Sequence, residues 1–254
     1  MDKYGLIGYP LGHSFSRHFF AEKFAREGID ATYENYELAD IRQLPALLES
    51  EPDLRGLNVT IPHKQNVIPL LSRLSEQAQE IGAVNVVRIL RTPTGEVELE
   101  GHNSDVIGFT NSIKPLLSPD HHKALVLGTG GASHAICYGL THMGIEWTYV
   151  SRRRQSGILS YEDVTPEVIR SVDVIVNCTP VGMYPHVDEA PPLPYEALTP
   201  RHLLYDLVYN PEETLFLRRG AEQGATVKNG LEMLHLQAIA SWEIWNQKTL
   251  PFTI

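Results

Sequence analysis

Short runs of apolar residues, bounded by glycine, proline or polar positions, recur along this chain and alternate with stretches of helical periodicity. The most readable unit starts at Lys123. Ala124-Leu125-Val126-Leu127 is apolar at every position, the pattern of a strand buried on both faces. It runs through Gly128-Thr129-Gly130-Gly131-Ala132-Ser133 into a helical stretch at 134–143, and after Gly144 a second strand pattern occupies 147–150. Strand, glycine turn, helix, strand is the opening unit of a dinucleotide-binding fold. Further parallel strands are expected at 173–177 and 203–207, with polar residues at their ends. Ligands in such sheets bind beyond the carboxyl ends of the strands.

The first hundred residues carry a βα rhythm of their own. Strands are expected at 4–8, 32–38 and 56–60, with amphipathic helices at 14–27 and 41–49. Segments 83–90 and 96–100 flank Thr92-Pro93-Thr94-Gly95, a hairpin signal. The pattern therefore predicts two α/β layers joined near 101–110. A last helix at 231–246 follows the whole nucleotide unit, and pattern alone does not decide where it packs.

Composition places the chain in a class. With 43% hydrophobic and 20% charged residues it is an ordinary globular sequence, and 254 residues suffice for one large or two modest domains. No apolar run approaches the roughly 18 residues of a membrane span. The N-terminus lacks a basic region followed by an apolar core, so no signal peptide is expected. Cys137 and Cys178 are too far apart for a CxxC motif and too few for a disulfide framework, which points to a reducing, cytoplasmic setting. The net charge of -10 repels nucleic acid and anionic membranes. An anionic small molecule would need local cations working against that field.

One such cluster stands where it counts. In the glycine turn, Gly128 permits the tight bend, Gly130 lets the backbone approach a pyrophosphate, and the following helix offers unpaired N–H groups. Ser133 occupies the third fingerprint position in place of glycine. A unit that binds NAD usually carries Asp or Glu at the end of the second strand, to hold the ribose hydroxyls. This chain has Ser151-Arg152-Arg153-Arg154 there. No carboxylate repels a 2′-phosphate, and arginines grip one in forked, charge-assisted contacts. The position favours NADP.

Polar residues also cluster in Gly8-Tyr9-Pro10-Leu11-Gly12-His13-Ser14-Phe15-Ser16, Asn58-Val59-Thr60-Ile61-Pro62-His63-Lys64, Gly82-Ala83-Val84-Asn85 and Gly101-His102-Asn103-Ser104-Asp105. With Asn177-Cys178-Thr179-Pro180-Val181-Gly182-Met183, Tyr205-Asp206-Leu207-Val208-Tyr209-Asn210-Pro211 and Gly230-Leu231-Glu232-Met233-Leu234-His235-Leu236-Gln237, these segments make the chain resemble the shikimate dehydrogenases. The match runs in order from residue 5 to about residue 240.

The resemblance implies an oxidoreductase of aromatic amino acid and chorismate biosynthesis, reducing 3-dehydroshikimate to shikimate reversibly with NADP. It implies an α/β fold of two domains: a substrate-binding domain with a mixed sheet (1–104 and 231–254) and a Rossmann-like NADP-binding domain (105–230). The C-terminal helix would return to the first domain. It also implies a cytoplasmic enzyme, monomer or homodimer, without nucleic-acid or membrane partners. Around the substrate the resemblance places Ser14, Ser16, Asn58, Thr60, Lys64, Asn85, Asp105, Tyr209 and Gln237. Around the cofactor it places Gly128, Gly130, Gly131, Ala132, Ser151, Arg152, Arg153, Thr179, Met183, Leu207 and Gly230.

The residue types suit that chemistry independently. Ser14 and Ser16 can donate hydroxyls to a carboxylate, although a Ser-x-Ser start caps a helix equally well. Hydride delivery to a ketone builds negative charge on its oxygen, and a lysine ammonium can neutralise it or supply the proton. Lys64 and Asp105 are the expected catalytic pair. A close carboxylate holds an ammonium charged while burial favours its neutral form, so the donor is either Lys64 or water relayed past it. Gly230, Met233 and Gln237 fall on one helix face, a mixture that suits a cleft wall better than a core stripe. Tyr209 either lines the nicotinamide or is a partly buried aromatic. Eleven histidines show no HExxH or paired His/Cys spacing, so no metal is expected.

Two readings compete: a quinate/shikimate dehydrogenase using NAD, which the arginines at the strand end oppose, and a silent ligand-sensing relative, which retention of Lys64 and Asp105 opposes. The chain also departs from the family. Val106 stands where a glycine is usual, and Ser151 where Asn is usual. Segment 155–171 is short. If 158–161 forms the third strand, only about five residues precede it, whereas a parallel crossover needs a dozen or more. One helix of the nucleotide domain is therefore expected to be missing, leaving the adenine side more open.

Overall fold

The structure, a computed structural model, describes residues 1–12, 15–92 and 94–246. The described residues divide into two compact units, one built from Met1–Ser104 and residues 238–246, the other from Asp105–Gln237.

The first unit is a sheet of β1 (Asp2–Gly8), β2 (Ala31–Glu37), β3 (Leu54–Val59), β4 (Arg73–Leu74), β5 (Val86–Arg91) and β6 (Val97–His102), ordered β2-β1-β3-β5-β6-β4. Strand β1 runs parallel to both neighbours, whereas β5 is antiparallel to β3 and β6, so the sheet is mixed. Helices α1 (Phe15–Glu27), α2 (Leu44–Ser50) and α3 (Glu76–Ile81) connect the strands. Alternation along the strands supplies two cores. Ile7, Leu57, Val59, Val87 and Ile89 meet Leu44 and Leu48 of α2 on one side. On the other, Tyr4 and Val86 pack with Phe20 and Phe24 of α1 and with Trp242 and Trp245. The expected helix at 41–49 is split, because Asp40 caps a single 3-10 turn (Ile41–Gln43) before α2 begins.

The second unit is an all-parallel sheet ordered β12-β11-β10-β7-β8-β9. Its strands are β7 (Lys123–Leu127), β8 (Glu146–Ser151), β9 (Ile158–Ser160), β10 (Val174–Asn177), β11 (Leu203–Asp206) and β12 (Thr226–Lys228). This is the doubly wound order, reversing direction between β7 and β10. Helices α4 (Asp105–Ile113), α5 (Gly131–His142), α6 (Pro166–Arg170) and α7 (Leu215–Glu222) surround it. Each central strand divides its side chains between two cores. Leu125, Leu127, Ile175 and Leu204 join Phe216 and Ile169 on one face. Ala124, Val126, Val176 and Tyr205 join Phe109, Ile136 and Met233 on the other.

Between β8 and β9, where every residue is described, there is no helix. Residues 152–157 make the whole crossover, closed by reciprocal backbone bonds between Gln155 and Ile158 (3.2 and 3.0 Å), with Gly157 at φ +75°. A residue without a side chain is needed at that angle. The expected loss of one helix is what the structure has.

The last helix, α8 (Leu231–Trp245), contributes its residues up to Gln237 to the second unit and the rest to the first. Its N-terminal part meets α4 closely: a Cβ on Gly108 would lie 2.5 Å from the Met233 carbonyl and 3.1 Å from Gln237 Cβ. Met233 is thus a core residue, and the mixed Gly230/Met233/Gln237 face is partly a packing face.

In the first unit, a Cβ on Gly56 would overlap Cδ1 and Nε1 of Trp245. The indole cannot swing aside without losing the bond that Nε1 donates to the Val87 carbonyl (3.1 Å). Gly56→Ala is expected to destabilise the protein by about 1–3 kcal/mol. Urea unfolding would measure this, with Gly12→Ala, whose Cβ meets nothing within 4 Å, as the neutral control.

Candidate functional site

The glycine turn begins where β7 ends. Gly128 has φ +97°, and its N–H donates to Val150 O (2.8 Å), which locks the turn to the neighbouring strand β8. A Cβ there would lie 2.9 Å from Thr179 Cγ2, so the turn and the loop after β10 are in contact. Gly130 is the N-cap of α5 and gives the first turn no side-chain bond, while a Cβ at Gly130 would meet nothing within 4 Å. A helix N-terminus that opens on such a glycine is suited to an anion, although the Ser133 N–H is already taken by Gly130 O (2.9 Å). The helix starts at Gly131, three residues earlier than its hydrophobic pattern suggested, because Gly131 and Ala132 belong to its first turn. Ser133, the departure from the fingerprint, is fully buried and donates its hydroxyl to Gly130 O (2.7 Å). It braces the turn where glycine would only leave room.

Register places the arginines beside this turn, since Leu127 pairs with Val150. Ser151 donates its hydroxyl to Arg153 O (2.6 Å), folding the chain sharply after β8. Arg152 and Arg153 are exposed and enter no ion pair among the described residues. Arg154 instead pairs with Asp163 (3.4 Å), which also accepts from Ser160 N–H and hydroxyl (both 2.8 Å). The third arginine therefore ties the shortened crossover to the end of β9. These groups suit the 2′-phosphate end of a dinucleotide, and the glycine turn suits its pyrophosphate.

At the ends of β10 and β11 stands a buried polar hub that the strand patterns foreshadowed only as polar ends. Asn177 and Asp206 are fully buried and paired in register. Asn177 Nδ2 donates to Asp206 Oδ1 (3.0 Å), and its Oδ1 accepts from the Thr179 N–H (3.1 Å) and hydroxyl (2.6 Å). Asp206 also accepts from Val208 N–H (3.0 Å) and from the Thr214 hydroxyl (2.6 Å), the residue that caps α7. No cation pairs with Asp206 among the described residues, and burial pushes its carboxyl up to about 6, against the pull of Thr214, Val208 and Asn177. Around this hub lie Met183 (45% exposed), Tyr209 (37% exposed) and the Leu207 carbonyl, against which a Gly230 Cβ would collide. Gly230 therefore has to be glycine for close packing.

In the first unit the expected substrate residues form a network of their own. Asn58, near the end of β3, accepts from the Tyr33 hydroxyl (2.8 Å) and donates to Ser241 Oγ (2.9 Å) and Asn85 O (3.3 Å). Asn85 donates to Ser104 Oγ (3.0 Å) and accepts from Ser104 N–H (2.7 Å). Ser104 and Ser241 lie hydroxyl to hydroxyl at 3.1 Å. Ser16 hydrogen-bonds Tyr33, whose hydroxyl burial pushes far up. Ser14 lies outside the described residues. Both Asn58 amide hydrogens are thus used inside the protein, leaving acceptor capacity and no donor for a ligand. Thr60 follows β3, held by its N–H to Ile7 O (2.9 Å), and Lys64 O accepts from Val84 N–H (2.8 Å). His63 between them is buried with Nε2 on Leu38 O (2.6 Å), so it anchors the loop. The sequence pattern gave no role to Ser241, nor to Ser104, although Ser104 belongs to the polar segment that ends at Asp105.

In the second unit, Asp105 is the first residue of α4 and is buried. Gln237 is buried on α8, with Nε2 donating to Leu234 O (2.9 Å). The structure thus gathers Ser16, Asn58 and Asn85 in one network, and the expected cofactor residues at or after the carboxyl ends of β7, β8, β10 and β11, with Gly230 after β12.

Residues 6–87 match the family model described as the shikimate dehydrogenase substrate binding domain. A shikimate dehydrogenase (NADP(+)) of Desulforamulus reducens is 34% identical over 272 residues, spanning 98% of this chain and 91% of that protein. Among solved structures, a chorismate mutase/shikimate 5-dehydrogenase fusion protein from Clostridium acetobutylicum has a TM-score of 0.85 at 35% identity, over 98% of this chain and 93% of that one. Shikimate 5-dehydrogenase from Thermus thermophilus, solved in complex with NADP(H) and shikimate, has a TM-score of 0.83 at 32% identity, over 99% and 95%.

The buried carboxylate of Asp206 makes a pH-dependent contribution to stability. Its folded value lies above the ordinary one, so the folded state holds the proton more tightly. The contribution is full below about pH 4 and is lost as pH rises through about 6. Asp206→Asn removes this dependence. Its stability relative to the parent should therefore rise by about 2–3 kcal/mol between pH 4 and pH 8, read by urea unfolding at the two values.

Proposed function

The chain belongs to the shikimate dehydrogenase family, and from this membership we infer that it catalyses the reversible, NADP-dependent reduction of 3-dehydroshikimate to shikimate, in the pathway to chorismate and the aromatic amino acids. The observation that carries the reading is likeness over 98% of the chain to a curated NADP(+) enzyme, joined to a glycine turn flanked by arginines and no carboxylate. NADP supplies or takes up the hydride when bound. Gly128, Gly130, Gly131 and Ala132 would cradle its pyrophosphate. Ser151, Arg152 and Arg153 would hold its 2′-phosphate, and Thr179, Met183, Leu207 and Gly230 would border its nicotinamide side.

On the substrate side, Ser14 and Ser16 would bind the ring carboxylate by their hydroxyls. Thr60, Asn85, Tyr209 and Gln237 would surround the ring, and Asn58 would accept from one ring hydroxyl while its amide stays bound to Ser241 and Asn85 O. Lys64 would neutralise the charge that grows on the carbonyl oxygen, either giving the proton or orienting the water that gives it. Asp105 would hold the neighbouring hydroxyl and keep the ammonium in place. A cytoplasmic location belongs to the same proposal, supported by the free thiols Cys137 and Cys178 and by the biosynthetic reaction. Among the described residues, no helix is long and apolar enough to cross a membrane.

A steady-state assay with shikimate or quinate, and NADP or NAD, followed by nicotinamide absorbance, tests the reading; failure to oxidise shikimate with either cofactor overturns it. Lys64→Ala is expected to lower kcat by about 100-fold or more while shikimate binding stays close to that of the parent. Arg152→Ala should raise KM for NADP about tenfold and leave the KM for NAD nearly unchanged, since only NADP carries the 2′-phosphate.

A further inference from the structure

A carboxylate buried at the end of a parallel strand, without a cation, is an unusual thing for a core to keep. Desolvating the charge costs several kcal/mol unless hydrogen bonds satisfy it, and an apolar residue would fill the same space at no such cost. Asp206 is satisfied by three donors, and each lies on a different segment: Asn177 at the end of β10, Val208 in the loop after β11, and Thr214 at the start of α7. Asn177 passes the constraint on, holding the backbone and hydroxyl of Thr179, whose methyl group bears on Gly128. Val208 in turn accepts at its carbonyl from Gly230 N–H (3.2 Å). The hub therefore fixes Thr179, Leu207 and Gly230 together.

None of these hydrogen bonds reaches Ser151, Arg152 or Arg153. Ser151 ends β8 and the two arginines follow it, on the far side of β7 from β10 and β11. A dinucleotide spans the crevice with one mononucleotide half over each side of the switch point. Two halves of the ligand therefore rest on two separately supported sets of residues.

We propose that Asp206 and Asn177 are positioning residues for the nicotinamide half of the cofactor, acting through Thr179, the Leu207 backbone and Gly230 and not touching the cofactor themselves. The assignment rests on the cofactor reading above. It separates the two halves of the ligand, which a general loss of folding would not do.

Calorimetric titration of the full chain with NADP+ and, separately, with adenosine 2′,5′-bisphosphate tests it. The bisphosphate carries the 2′-phosphate and lacks the nicotinamide half. Asp206→Ala is expected to weaken NADP+ binding about tenfold and to leave bisphosphate binding within about twofold of the parent. Asp206→Asn, which keeps the shape and can still accept from Asn177 and Val208, should restore most of the NADP+ affinity. Equal losses for both ligands, or no loss for either, overturn the proposal. If Asp206→Ala does not fold, Asn177→Ser and Thr214→Val undergo the same comparison, with about threefold selective loss of NADP+ expected and equal loss or none again overturning it. A parent protein that binds neither ligand overturns the cofactor reading and this proposal with it. A parent that binds both, with variants that behave alike, overturns this proposal alone.

Discussion

A parallel sheet covered on both faces can present chemistry only at the ends of its strands. In the second unit the faces are taken by two apolar cores, with Leu125 and Leu127 facing one and Ala124 and Val126 the other. Backbone groups along the strands are satisfied by the ladder, and in the central strands β7, β10 and β11 no side chain between the ends is available to a ligand. The polar residues therefore gather where the strands stop: Gly128 after β7, Ser151 at the end of β8, Asn177 at the end of β10, Asp206 at the end of β11. Everything proposed for the cofactor follows from that confinement. So does the hub, because polar groups crowded at adjacent strand ends must pair with one another or remain unsatisfied.

The mixed sheet of the first unit meets the same demand differently. Asn58 is the penultimate residue of β3, and Asn85 directly precedes β5, its antiparallel neighbour, so the two residues come within hydrogen-bonding distance. Tyr33, Ser104 and Ser241 close the remaining hydrogen bonds, one from a strand, one from the connection into α4 and one from the final helix. A network fed by three elements far apart in sequence holds its amides in one orientation. That gives Asn58 a narrower role than its residue type suggests: it can accept from a ligand, but its hydrogens are committed. The loops that carry Thr60 and Lys64 are anchored separately, by His63 and by backbone bonds.

The shortened crossover shows how a deletion can be absorbed. A parallel connection ordinarily uses a helix to carry the chain back to the start of the next strand. Here Gln155 and Ile158 turn the chain within a few residues, and β9 pairs with only the last part of β8, Tyr149 to Ser151. The strand is short because so little chain is available to reach its beginning. Arg154 reaches Asp163 beyond β9 (3.4 Å), a largely exposed pair that contributes little beside the backbone bonds of the turn.

Sequence by itself determined the strands other than β4 and β12, the glycine turn, the absence of a carboxylate at the end of β8 and the missing helix. These depend on local spacing, glycine geometry and chain length, which are written in consecutive residues. The short α3, α4, α6 and α7, and strands β4 and β12, were not legible, because they are too brief or too uniformly apolar for periodicity to mark them. Tertiary structure alone decided that Met233 is core, that Ser133 braces the turn by a hydrogen bond, and that Asn58 has no donor to spare. It alone paired Asn177 with Asp206, which lie 29 residues apart. Such pairings are set by sheet register and by which strands become neighbours, and a buried polar group chooses its partner from what the fold brings within reach, whatever the distance along the chain.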